Sequence, residues 1–261
     1  RGLASAHAMT LMQILNSADI QDSETVRTRL QAAISDSVAA AQEATKANVL
    51  EPENWKMLAQ VYEVLIPLGI TGAKDAAINA HEEEIKRNPL SPEPVLAEAR
   101  IALGANDHAS ARKRAEDALL LKPNYVPAHL FLAQLEEAEG NLSKAIERVQ
   151  AAALLNPTEV GTLFQLGLLY YRKDDLKNAR TIFERAVELS PTYSNARYFL
   201  GVVYDRLGDK RSALVQFQAV LALNPDSAEV KQIVSNLNSG KRALSGIASP
   251  PEDRMASPVG E

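Results

Sequence analysis

Six prolines constrain how this chain can fold. Pro52, Pro89, Pro123, Pro157, Pro191 and Pro225 stand 37, 34, 34, 34 and 34 residues apart. An alanine precedes each by twelve residues: Ala40, Ala77, Ala111, Ala145, Ala179 and Ala213. A fixed period of this length predicts one supersecondary unit repeated in a row, each copy burying its apolar face against its neighbours.

Inside the period, residues 160–191 read as two helices. Leu163, Leu166, Gly167 and Tyr170 recur at helical spacing, "KDD" interrupts them, and Ala179, Phe183 and Ala186 line a second helix that Pro191 follows. Residues 194–225 repeat the design with Leu200, Gly201, Tyr204, Ala213, Phe217 and Val220. Gly167, Gly201, Ala59, Ala99 and Ala133 share one place in the first helix. The periodic alanines are expected to face them, since helices reach the near end of the usual ~8–10 Å separation only over small side chains.

A 34-residue helix–turn–helix unit carrying large, leucine, small, tyrosine, alanine, aromatic, alanine and proline in that order resembles the tetratricopeptide repeat. The likeness covers roughly residues 53–225 as five units and is strongest at 160–191 and 194–225. Glu98 and Ala102 depart from the leucine and tyrosine of the pattern, and Glu136 departs from the tyrosine. The resemblance implies an all-α, right-handed superhelix (an α-solenoid) of about five helix pairs, with an N-terminal half unit and a C-terminal capping helix. It also implies that the first helices line a concave face that grips an extended peptide or a partner's helix.

The ends are less regular. Residues 1–48 are expected to form a helical pair or half repeat: an amphipathic helix over 2–18, then a helix over 24–48 with Ala40, Ala44 and Ala47 in the packing places. Residues 226–239 read as the capping helix, stopping near Gly240. Residues 240–261, rich in Pro, Ser and Gly and without a period, are expected to be disordered. In the first full unit, "LIPLGITGAKD" at 65–75 lengthens the turn and brings Ile66, Leu68 and Ile70 into a loop that either docks on a neighbour or folds back.

Little points to chemistry. There is no cysteine, which removes disulfides, thiolate nucleophiles and zinc–thiolate sites together. His7, His81, His108 and His129 form no pair at metal-binding spacing, and His81 and His129 fall on packing positions. "SGK" at 239–241 lacks the upstream glycine of a phosphate loop, "HEEE" at 81–84 lacks a second histidine, and "NLS" at 141–143 is an isolated glycosylation triplet. No catalytic residue, metal or cofactor is expected. The formal charge of −5 without a Lys/Arg cluster excludes nucleic acid as the main partner, and no apolar run is long enough to span a membrane.

Binding is the remaining class. Tyr170 shares the packing stripe of Leu163, Leu166 and Gly167, whereas Tyr171 lies on a second stripe with Phe164 and Leu168. In the resembled family that second stripe faces the inside. The expected partner surface is therefore Leu130, Gln134, Phe164, Leu168, Tyr171, Arg172, Tyr198, Val202, Asp205 and Arg206, unless neighbouring helices or the tail cover it. The carboxylate clamp found in some members is absent, because the corresponding places hold Leu130, Gln134, Gln165, Asn195 and Phe199. The expected function is a non-enzymatic interaction module (a scaffold or adaptor) with a protein or peptide partner. The alternative starts from Arg1 at the first position and the helix over 2–18. It is the soluble C-terminal domain of a polytopic membrane enzyme, O-antigen-ligase-like or a glycosyltransferase. Self-association through the 65–75 loop is a third reading.

Overall fold

The computed structural model describes residues 24–247, which form twelve α-helices and no strand. The expected helix over 2–18 and the tail beyond 247 lie outside the described residues. The helices are α1 (Glu24–Ala47), α2 (Pro52–Leu65), α3 (Ala73–Arg87), α4 (Pro92–Gly104), α5 (His108–Leu121), α6 (Val126–Ala138), α7 (Leu142–Leu155), α8 (Val160–Arg172), α9 (Leu176–Leu189), α10 (Ser194–Arg206), α11 (Lys210–Leu223) and α12 (Ala228–Asn238).

The turns repeat as faithfully as the helices. Asn106, Gly140, Asp174 and Gly208 take the left-handed conformation, with φ of 60, 79, 63 and 89°. Each reverses the chain after a first helix. The next residue opens the second helix, and at Asp107, Asp175 and Asp209 its carboxylate accepts from the N–H of Ser110, Asn178 and Ser212. A carboxylate there also meets the positive end of the helix dipole. Pro89, Pro123, Pro157, Pro191 and Pro225 do follow second helices.

Pro52 does not. It opens α2, as Pro92 opens α4, at a first-turn position where a missing N–H costs nothing. First helices start at Pro52 and Pro92, 40 residues apart, and later ones every 34, so the enlarged turn at 66–72 adds six residues. Measuring from Pro52 also shifts the register of α1. Its buried residues are Ala33, Ser37, Ala41 and Thr45, not Ala40, Ala44 and Ala47.

Contacts divide the chain into a unit ending at Ala128 and a unit starting at His129. In the first, α2 packs on α3 and α4 on α5, with Ala41, Leu58, Ala59, Val61 and Ala80 forming one apolar cluster. Ile66 folds back against Ala33, Leu65 and Ala73, while Leu68 and Ile70 stay exposed. In the second, a continuous core runs from α8 to the residues after α12, with Phe164, Phe183, Tyr198, Phe199 and Phe217 fully buried.

Two expectations about packing change. The periodic alanines from Ala77 onward are fully buried, yet Gly167 and Gly201 face the rings of Phe183 and Phe217, not an alanine. Residues 241–247 pack on the repeats. Asn236 donates its side-chain amide to the carbonyls of Ala243 (3.0 Å) and Ser245 (2.8 Å), and Ala243 is fully buried. Leu244 and Ile247 pack on the core although the segment has no helical period.

Candidate functional site

The stripe expected to meet a partner divides sharply by residue. Phe164, Leu168, Tyr198, Val202 and Asp205 are buried, which corrects the expectation that they form open surface. Phe164 packs on Tyr193 and Phe199 of the following unit, with ring centroids 5.0 and 5.9 Å apart. The Tyr198 hydroxyl donates to Glu229 of α12 at 2.6 Å. Asp205 accepts from Arg242 Nε at 2.9 Å and from the Ala243 N–H at 3.1 Å. The stripe is apolar because consecutive first helices, the capping helix and the tail press on it.

What stays accessible is its edge. Gln134, Arg172 and Arg206 are exposed, and Leu130 and Tyr171 are half-buried. Arg172 pairs with Glu137, and Arg206 pairs with Asp174 while its guanidinium lies 5.3 Å from the centroid of the Tyr171 ring. The contrast expected between the two adjacent tyrosines is largely lost. Tyr170 is also half-buried, its hydroxyl accepting from Gln150 at 2.8 Å, while Tyr171 sets an edge against Phe199.

The same stripe is open in the N-terminal unit. Lys56, Gln60 and Glu63 of α2 occupy the places that Phe164, Leu168 and Tyr171 take in α8, counting from each helix start. With Glu93, Arg100 and Tyr125 they line a polar recess of about 290 Å³. Lys56 bonds Glu93 at 2.9 Å, linking α2 to α4, and this hydrogen bond chiefly raises the lysine's pKa. Arg100 is exposed, and burial pushes the Tyr125 phenol up.

His81 lies at the back of the recess, in the second-helix place that holds Phe183 and Phe217 in the later repeats. Its Nε2 is 2.6 Å from Glu63 and its Nδ1 is 3.2 Å from the buried Glu84. Burial works against the imidazolium, but the hydrogen bonds with Glu63 and Glu84 prevail and its pKa is pushed up to about 9. At neutral pH both ring N–H groups donate to carboxylates. Glu98, which replaces the patterned leucine, is buried beside this cluster; burial raises its pKa, and it pairs with Arg114 at 2.9 Å. The recess was not part of the expected partner surface, which lay between residues 130 and 206; its signal in the sequence is the polar run of Lys56, Gln60 and Glu63 in the stripe's places.

Among the described residues no group of three or more His, Asp or Glu is placed to hold a metal ion, and no helix is long and apolar enough to cross a membrane.

The family model of the tetratricopeptide repeat matches residues 102–163 and 170–237. The chain belongs to the tetratricopeptide-repeat family. Its all-α architecture is that family's α-solenoid of helix pairs. Solved tetratricopeptide-repeat structures agree on the fold. MamA from Desulfovibrio magneticus RS-1 is 20% identical, with a TM-score of 0.52 over 65% of this chain and 97% of its own. YrrB, described as a TPR protein with an unusual peptide-binding site, is 17% identical, with a TM-score of 0.55 over 73% of this chain and 95% of its own. The APC/C hetero-tetramer Cut9–Hcn1 gives 18% identity and a TM-score of 0.53 over 90% of this chain and 48% of the matched one. No curated protein sequence matches this tetratricopeptide-repeat chain.

Proposed function

We propose that this tetratricopeptide-repeat chain is a non-enzymatic protein-interaction module that takes a polar peptide into the recess of its N-terminal unit. One observation carries the reading. The inner-stripe places that hold Phe164 and Leu168 in α8 and Tyr198, Val202 and Asp205 in α10, all buried by the protein's own packing, are held in α2 by Lys56, Gln60 and Glu63 around open space. Arg100 and Lys56 offer charge-assisted donors to an acidic side chain or a terminal carboxylate, while Glu63 and Glu93 accept from backbone N–H groups. Of the partner surface expected in the C-terminal unit, the accessible edge of Leu130, Gln134, Tyr171, Arg172 and Arg206 supports a secondary contact. The reading of a membrane-enzyme domain draws no support from the family match or from the solved structures.

The test is a selection of displayed random peptides on the purified chain, followed by fluorescence anisotropy of the enriched sequences. Arg100→Glu and Lys56→Glu should each weaken binding about tenfold or more, because a reversed charge repels what the recess selects. Tyr171→Ala should change it by less. Equal binding by parent and both reversal variants would remove the recess as the site. Enrichment of nothing above background would sink the peptide-binding reading itself.

A further inference from the structure

A second opening lies in the C-terminal unit, between α7 and α9 above α8, with a volume of about 600 Å³. Leu163 and Leu166 of α8 form its floor, Ala151, Leu154 and Pro157 one wall, and Ile182 the other. Glu147, Gln150 and Arg185 also line it.

Leu163 contributes to the opening. Counting from the helix start, it holds the fourth place of its first helix, which is Trp55 in α2, Val95 in α4, His129 in α6 and Arg197 in α10; the first and last of these reach across. Trp55 closes the corresponding gap on both sides. Its indole N–H donates to the Val49 carbonyl after α1 at 2.8 Å, and the Arg87 guanidinium of α3 lies 4.6 Å from its ring centroid. Arg197 does the same with polar atoms, donating from Nη1 to Gln216 of α11 at 2.9 Å and from Nε to the Pro191 carbonyl after α9. Leucine has neither the length nor a donor to bridge the two walls. The result is an apolar slot shaped for a side chain that this repeat does not supply.

We propose that the slot is a docking site for a partner peptide that inserts a tryptophan, with a basic residue of the same peptide set against Glu147. The lining favours an indole over a guanidinium, being apolar apart from Glu147, Gln150 and Arg185. Arg185 pairs with Glu188 at 3.2 Å at the rim of the slot. Glu147 is exposed and supplies the complementary charge. A second copy of this chain does not fit the requirement, since its single tryptophan, Trp55, is already engaged in its own repeat. The site is independent of the polar recess and stands or falls separately.

Methyl NMR tests it with N-acetyl-tryptophanamide as the probe. Shifts should be confined to Leu154, Leu163, Leu166 and Ile182 and saturate in roughly the millimolar range, as suits a ligand of that size. Leu163→Trp, which closes the slot from within, should abolish them. Leu154→Glu should weaken binding by about threefold or more; at 83% exposure this residue is not needed by the fold, so the test survives a failure of the first variant to fold. A helical peptide with Lys four residues before Trp should bind about tenfold tighter than its Glu counterpart, and Glu147→Lys should reverse that order. The proposal is overturned by shifts that persist in both variants, by no shifts at about 10 mM probe, or by a concentration-dependent mass that Leu163→Trp removes, which would make a second copy the occupant.

Discussion

A Cβ placed on Gly167 would stand 2.5 Å from Cε1 of Phe183, a ring that is itself fully buried. The glycine is the floor on which the ring rests, and Gly201 serves Phe217 in the same way, at 2.7 Å. Alanine is the better helix former by roughly 1 kcal/mol, but overpacking a fixed ring costs about 1–3 kcal/mol. Gly167→Ala is therefore expected to lower stability in urea denaturation. Gly104→Ala, where a Cβ meets nothing within 4 Å, should be neutral or stabilising. Equal effects at the two sites would contradict the packing argument.

His81 makes stability depend on pH in the alkaline direction. Its pKa rises from the ordinary 6.5 to about 9 on folding, so the folded chain holds an extra proton between those values. The stabilisation is complete below about pH 6.5 and is lost as pH climbs through about 9. Urea midpoints should fall across that window by the equivalent of roughly 2 kcal/mol. His81→Gln should flatten the profile and lower stability at pH 7, since Glu84 is left buried without its cation. A parent profile that is flat from pH 6.5 to 9.5 would refute the assignment.

Aromatic truncations should separate along the stripe. Phe164→Ala removes a fully buried ring in contact with Phe183, Tyr193 and Phe199 and should cost about 3–5 kcal/mol. Tyr171→Ala and Tyr170→Ala, both at half-buried rings, should cost less and resemble each other. Thermal denaturation of the three variants decides the matter, and a Tyr171→Ala loss as large as that of Phe164→Ala would mean the edge is core.

Asn236 holds the tail. Its amide serves two carbonyls of residues 243–245 from a buried position, so Asn236→Ala should cost about 1–3 kcal/mol and release that segment. Limited proteolysis should then cut near Arg242 at least several-fold faster than in the parent chain, with α1–α11 intact. Unchanged cleavage would show that Leu244 and Ile247 anchor the tail without it.

The repeat, its helix pairs and its family were written in the sequence, because each unit packs mainly on its neighbours and so repeats its chemistry at fixed spacing. The prolines after the second helices, the buried alanines and the small places at Gly167 and Gly201 are all local requirements of that kind. Which faces are open was decided only by tertiary structure. An apolar stripe reads the same whether a partner or the next helix covers it, and here Phe199, Glu229 and the 241–247 segment do the covering. The recess behind Lys56 and the slot above Leu163 are spaces between helices, set by what neighbouring side chains fail to fill. A sequence records the side chains that are present, and the gaps between them appear only once the helices are packed.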